Sequence, residues 1–261
     1  MKTADTFQQH GLDGSALAGE VVIDAHMHIG RFHNFYVPRP ELAQMVESAR
    51  RIGIQKMYGS SLLAIRGDAE AGNKAALDAV SSYPGVFYPY LVAKPNYPEE
   101  IRAIVELAES TKQRRFKIHD DGNDFPYDHR NYEPLYEYAH SVEAPLLIHT
   151  YGRKHVRPMM KVAERFPRIR ILLGHAGIID EDVYGEAARK HLNIYLETCC
   201  SLAWYGLIER LVRMAGADRV LFGTDMPFMS PDQQIGRVLF ARLSDEDKRK
   251  ILGLNAARVL G

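Results

Sequence analysis

The stretch Val21-Val22-Ile23-Asp24-Ala25-His26-Met27-His28 decides how the rest of the sequence reads. Its apolar, β-branched start predicts a buried strand. Residues two apart on a strand project from the same face, so His26 and His28 stand side by side. Two imidazoles held on rigid backbone make half of a divalent-metal site. An open doubly wound sheet, the alternative architecture, would normally place a glycine-rich phosphate loop at this point, and His-Met-His-Ile-Gly stands there instead.

Working outward, seven more short apolar runs predict strands at 56–62, 86–92, 115–119, 145–150, 169–174, 192–198 and 220–224. Helical patterns follow each strand, at 41–52, 72–82, 98–109, 132–141, 155–166, 181–190, 205–215 and 232–241. Helix-stopping residues separate several helices from the next strand, as in Tyr83-Pro84-Gly85, Phe166-Pro167 and Ala215-Gly216. A ninth helical stretch, 245–260, follows Ser244, which would cap it with Asp247 in the place of the usual Glu or Gln. Eight strand–helix units imply parallel strands and an α/β fold, a closed (β/α)8 TIM barrel with an extra C-terminal helix. We read residues 1–20 as an N-terminal extension and 21–261 as one barrel domain.

The bulk properties agree. A chain of 261 residues, 46% hydrophobic and 25% charged, can bury a large core without disulfides. Thirty-three basic residues balance 33 acidic ones, which gives no reason to expect nucleic acid or an anionic membrane as a partner. The two cysteines, Cys199 and Cys200, are adjacent and offer no disulfide framework, as expected in a reducing cytoplasm. No run approaches the roughly 18 apolar residues of a membrane helix, and the opening segment lacks the apolar core of a signal peptide.

Barrel enzymes carry their reacting groups at the C-terminal ends of strands. Those ends hold His26 and His28 on the first strand, Lys117 and His119 on the fourth, His149 on the fifth, His175 on the sixth and Asp225 on the eighth. Neutral imidazoles with one carboxylate suit a divalent ion, and zinc is the expected one. A site with a single carboxylate stays positive and acidifies bound water.

The set His26-x-His28, His149, His175 and Asp225 resembles the amidohydrolase superfamily. More narrowly it resembles the amidohydrolase-related branch that contains aminocarboxymuconate-semialdehyde decarboxylase-like proteins and many hydrolases. The phrases that carry the likeness are Ile23-Asp24-Ala25-His26-Met27-His28-Ile29-Gly30, Phe116-Lys117-Ile118-His119, Gly174-His175-Ala176-Gly177, Phe222-Gly223-Thr224-Asp225-Met226-Pro227 and the ending Ile251 to Gly261. The resemblance implies His26, His28 and His149 as metal ligands, with Asp225 completing the set and shuttling a proton. It makes His175 the histidine that orients water or substrate. In binuclear relatives a lysine at the position of Lys117 is carbamylated and His175 becomes a ligand of the second ion. One ion is favoured here, with Lys117 and His119 open to substrate binding or a second metal.

Arg31 and Arg66 follow the first two strands and could clamp a substrate carboxylate. His33 and His155 lie in loops that could border the site, Asp24 sits deeper on the face of His26, and Trp204 with Tyr205 begins the seventh loop. The leading expectation is a metal-dependent hydrolase that attacks an amide, ester or lactone carbonyl of a small molecule with activated water. A non-oxidative decarboxylase of a small carboxylic acid is the alternative, with His175 and an arginine managing the carboxylate. An inactive binding barrel would show gaps among the five positions, and all are filled. Dimers are common in the resembled branch, so a homodimer is compatible with it.

Overall fold

The computed structural model describes residues 6–32, 34, 36–120 and 125–261. In chain order its elements are helix α1 (Thr6–Asp13), strand β1 (Ile23–Ile29), α2 (Leu42–Ile52), β2 (Lys56–Ser61), α3 (Leu62–Arg66), α4 (Ala69–Ser82), β3 (Phe87–Pro89), β4 (Leu91–Val92), α5 (Pro98–Thr111), β5 (Phe116–Ile118), α6 (Glu133–Ser141), β6 (Pro145–His149), α7 (Arg153–Arg165), β7 (Arg170–Gly174), α8 (Glu181–Lys190), β8 (Ile194–Glu197), α9 (Leu207–Ala215), β9 (Val220–Leu221), α10 (Pro231–Leu239), α11 (Asp245–Arg249) and α12 (Asn255–Leu260). Strands β1-β2-β3 and β4 through β9 pair in chain order, all in parallel.

The third barrel strand is broken at Tyr90, into β3 and β4. Tyr90 still bonds back to Gly59 (N···O 2.8 Å) while Leu91 bonds forward to Arg115 (2.9 Å), so the two halves serve one strand position. The barrel closes where β1 meets the segment after β9, through Ala25 N to Phe222 O (3.0 Å) and Asp225 N to His26 O (2.7 Å). The fold is therefore the expected (β/α)8 barrel.

Side chains sort into two apolar layers. Val22, just before β1, and Met27 and Ile29 within it face outward to the helices, whereas Ile23 and Ala25 join Tyr58, Tyr90, Leu147, Leu172 and Leu221 inside. Ala256, Val259 and Leu260 of α12 plug the interior from below. Alternation breaks in β1, where three steps from Asp24 to Met27 oppose two steps on β2. Asp24 Oδ1 takes the His26 N–H at 3.0 Å, and such local side-chain bonds compete with the ladder. The bulge leaves His26 and His28 facing the barrel mouth and ends the simple face-sharing expected between Asp24 and His26. The second carboxylate oxygen of Asp24 instead accepts Thr224 Oγ1 (2.5 Å), and Oδ1 also accepts Thr224 N (2.9 Å), which staples the closing seam.

Two helices were not read from the sequence. In α1, Phe7 is buried under Arg249, and Gly11 lies against the Phe240 ring, so the first twenty residues include a helix packed on the barrel. In α3, Leu62, Ala64 and Ile65 are buried on one short turn that follows β2 without a loop. The last stretch is continuous, with a π-helical turn at Lys250–Leu254 between α11 and α12, and Ser244 Oγ accepts Asp247 N at its start. No helix among the described residues is long and apolar enough to cross a membrane.

Candidate metal centre

The barrel mouth brings four imidazoles into a row. Ring centroids are 5.2 Å apart for His28 and His26, 4.9 Å for His26 and His175, and 4.8 Å for His175 and His149. Asp225 closes the row from the segment after β9: its Oδ1 lies 3.1 Å from His28 Nε2 and 3.7 Å from His26 Nε2. His26, His28 and Asp225 are all buried, and one donor atom of each lies within 4.8 Å of the others. A donor atom of His149 lies instead within 4.8 Å of those of His119 and Asp120, and its ring stacks on His119 at 3.8 Å.

Each Nδ1 is already engaged. That of His26 bonds Glu197 Oε2 (2.8 Å), that of His28 meets Ser60 Oγ (3.0 Å), that of His149 bonds Asp120 Oδ1 (2.5 Å) and that of His175 bonds the Cys199 carbonyl (3.1 Å). The partner at one ring nitrogen decides which nitrogen stays free, so these contacts leave the four Nε2 atoms as the prospective donors. His26, His175, Glu197 and Cys199 also lie close enough to hold an ion. Their donor atoms are spent on one another, and we read them as the support beneath the row.

Electrostatics favour neutral ligands. Burial lowers His26 far below the usual histidine value, with Lys117 adding to the effect, and brings His175 down to about 3. Burial alone would raise Asp225, yet the His28 hydrogen bond and the surrounding imidazoles hold it below the usual carboxylate range. Burial lifts Glu197 to about 8, a shift that a divalent cation nearby would oppose. Lys117 is fully buried and brought down to about 8 by that burial, with its Nζ 3.0 Å from His26 Nε2. Neutral imidazoles converging with one ionised carboxylate fit a divalent ion.

Two glycines make the row fit. A Cβ at Gly223 would overlap Glu197 Oε1 and lie 2.9 Å from His26 Cβ, and one at Gly174 would lie 3.2 Å from His26 Cε1. His175, next after Gly174, and Asp225, two residues after Gly223, hold left-handed backbone, with φ of 58° and 57°. Non-glycine residues adopt that region at a cost of order 1–3 kcal/mol, and such outliers cluster at functional sites.

Above the row lies a cavity of about 580 Å³, bordered by Phe32, His119, Tyr151, Phe228 and Met229, with His28, His149, His175, Asp120 and Asp225 below. Neither arginine expected here lines it. Gly30 ends β1 at a φ of +92°, and the 71%-exposed Arg31 side chain that follows reaches Glu41 at 3.5 Å. Arg66 lies at the exposed end of α3, whose apolar face points inward. His155 sits in the first turn of α7 and reaches Asp120, whereas His33 falls outside the described residues. Cys199 is buried beneath His26 and His175, while Trp204 and Tyr205 border a separate shallow pocket.

Sequence reading missed Glu197 and Asp120, the two carboxylates behind the row. Glu197 ends an apolar strand, and a charge in such a run was its signal. Asp120 directly follows His119 and had no spacing signal of its own.

Comparison with known proteins places these features. No curated protein matches the sequence. Among solved structures, 2,6-dihydroxybenzoate decarboxylase from Rhizobium superimposes with a TM-score of 0.74 at 16% identity, over 92% of this chain and 98% of that one. The 5-carboxyvanillate decarboxylase of Sphingomonas paucimobilis gives 0.72 at 16% identity, over 93% and 99%. A dihydroxybenzoic acid decarboxylase from Polaromonas, solved with manganese and 2-nitroresorcinol, gives 0.72 at 17%, over 92% and 96%. At such identities the likeness establishes the barrel fold. The family model described as Amidohydrolase matches residues 23–261, from the bulged first strand to the C-terminus, and the chain therefore belongs to the amidohydrolase family.

Proposed function

We propose that this protein is a metal-dependent, non-oxidative decarboxylase of a small, planar carboxylic acid. The observation that carries the reading is the group of His28, His149, His175 and Asp225 at the floor of a cavity walled by flat rings: His119 stacked on His149, Tyr151, Phe32 and Phe228. The names of the similar structures, decarboxylases of dihydroxybenzoates and of 5-carboxyvanillate, support an aromatic acid as the substrate class.

The reaction breaks the bond between the ring carbon and its carboxylate. The electron pair stays on that carbon, which takes one proton, and carbon dioxide leaves. His175 is unprotonated at Nε2, because Nδ1 bonds the Cys199 carbonyl, and can accept a hydrogen bond from a substrate hydroxyl. The ionised Asp225 carboxylate opens onto the cavity, where it can take up the acid's own proton and return it at the carbon that loses its carboxylate, so that one acid gives one ring C–H and one carbon dioxide. The ring walls exclude water from that carbon. His26, His28, His149 and Asp225 would hold a divalent ion, which would supply positive charge for the substrate oxygens and the developing electron pair. Manganese and zinc are the two candidates, with one ion and Lys117 as an unmodified amine beneath His26.

No lysine or arginine lines the cavity among the described residues, so the arginine expected to manage the carboxylate has no counterpart in the described lining. Hydrolysis of an amide, ester or lactone takes second place to the flat, ring-walled slot. A small-molecule substrate in a cytoplasmic setting, without nucleic acid or membrane, belongs to the same proposal.

The test uses protein stripped with a chelator and reloaded with manganese or zinc. Release of carbon dioxide from hydroxybenzoates or carboxylated methoxyphenols, lost in Asp225→Asn, supports the reading. Hydrolysis of esters, lactones or amides with no carbon dioxide from any acid overturns it.

A further inference from the structure

Asp120 stands where three imidazoles meet. Its Oδ1 bonds His149 Nδ1 at 2.5 Å and lies 3.5 Å from His119 Nδ1, and its Oδ2 lies 3.2 Å from His155 Nε2. His155 has no freedom to reverse that contact. Its Nδ1 accepts the backbone N–H of Tyr151 at 2.8 Å, so a neutral His155 carries its proton on Nε2, facing Asp120. The 3.2 Å contact is poorly aligned, and His155 Nε2 finds no better partner among the described residues. The polarity therefore runs one way: Tyr151 N–H bonds His155, the His155 N–H faces Asp120 at close range, and His149 Nδ1–H bonds Asp120 from the other side.

We propose that Asp120, braced by His155, is the positioning residue that locks the His149 ring and tautomer with Nε2 free toward the cavity. The role of His149 as a ligand rests on the function proposed above, whereas the tautomer lock stands on these contacts alone. Bidentate acceptance is the chemical requirement. A carboxylate accepts from both sides, while an asparagine can accept on its oxygen only and must present N–H groups to His149 or to His155. The same chain pins the backbone of Tyr151, a wall of the cavity, so Asp120 ties the ends of β5 and β6 to the first turn of α7.

The test reads the imidazoles directly. Long-range proton–nitrogen spectra of metal-free, histidine-labelled protein report which ring nitrogen carries hydrogen, and His149→Gln assigns the His149 signals. Wild-type His149 is expected as the Nδ1–H form. Asp120→Asn is expected to change the signals of His149 or His155, and Asp120→Ala to mix the two tautomers of His149. Zinc affinity by competition with a chromophoric chelator should fall 10- to 100-fold in Asp120→Ala, the usual consequence of losing the partner behind a ligating histidine. Wild-type His149 protonated on Nε2 overturns the inference without any variant. So does an Asp120→Ala protein with unchanged His149 signals and zinc affinity within twofold of wild type. Neither measurement uses substrate: if no acid is decarboxylated but the tautomer shifts, the functional proposal falls and the positioning role survives.

Discussion

Replacing Glu197 by Gln isolates the support beneath the metal row. Glu197 is fully buried, and donors approach both of its oxygens: Cys199 N to Oε1 (2.5 Å), and His26 Nδ1 (2.8 Å), Cys199 Sγ (3.1 Å) and His175 N (3.4 Å) to Oε2. A glutamine fills the same space but accepts through one oxygen. The Cys199 amide cannot turn away, so the glutamine oxygen goes to it and the amide NH₂ faces His26 Nδ1. His26 must then accept at Nδ1 and carry its proton on Nε2, the atom we propose as the metal ligand. A bound divalent ion favours the ionised form of Glu197, and the charge-assisted hydrogen bond lost from that state is worth ~1.5–3 kcal/mol. That range agrees with the 10- to 100-fold loss of metal affinity typical of removing such a partner, ~1.4–2.7 kcal/mol. Metal-free stability should barely fall, because burial already pushes Glu197 up to about 8 and its charge is costly to keep. The assay is competition titration with zinc and with manganese, alongside urea unfolding of the stripped protein. Affinities within threefold of wild type in a folded Glu197→Gln protein would refute the reasoning.

Two further outcomes follow from burial. His175 is held near 3 in the folded protein against an ordinary value of 6.5, so below pH 6.5 the unfolded chain binds a proton that the native one refuses, and stability falls with acid. Between pH 7.5 and 5 the metal-free wild type should therefore lose about 2 kcal/mol relative to His175→Gln, read by urea unfolding, and parallel pH dependences would contradict the buried neutral imidazole. Phe7→Ala should cost ~3–5 kcal/mol, as for other buried phenylalanines, and a loss below 1 kcal/mol would mean that α1 is not part of the cooperative unit.

The barrel was legible because its signal is repetitive: apolar runs recur, and the periodicity of α8 reproduces its observed span, Glu181–Lys190. The misses have local causes. α1 is polar on most of its surface and buries only Phe7, so composition concealed it. α3 begins on the residue after β2, and its five residues are too few to show a helical period. The break at Tyr90 follows from the shift of pairing from β2 to β5, a tertiary event that no local pattern carries. Ligand-type residues stood out at strand ends because histidine after an apolar run is conspicuous. Glu197 and Asp120 did not, since their importance lies in which ring nitrogen they face. Arg31 and Arg66 follow strand ends along the chain, but the turn at Gly30 and the helix α3 set their direction.

The seam that joins Asp24 to Thr224 spans 200 residues of sequence. His26 takes its support from β8, and Asp225 reaches the row only when the segment after β9 lies beside β1. Contacts so distant along the chain carry a large loop-closure entropy and are slow to form. Metal affinity at the proposed centre is thus a property of the closed ring and belongs to no partial arc of strands. An ion arriving during synthesis would meet isolated histidines but no site, so capture of metal would mark the end of folding.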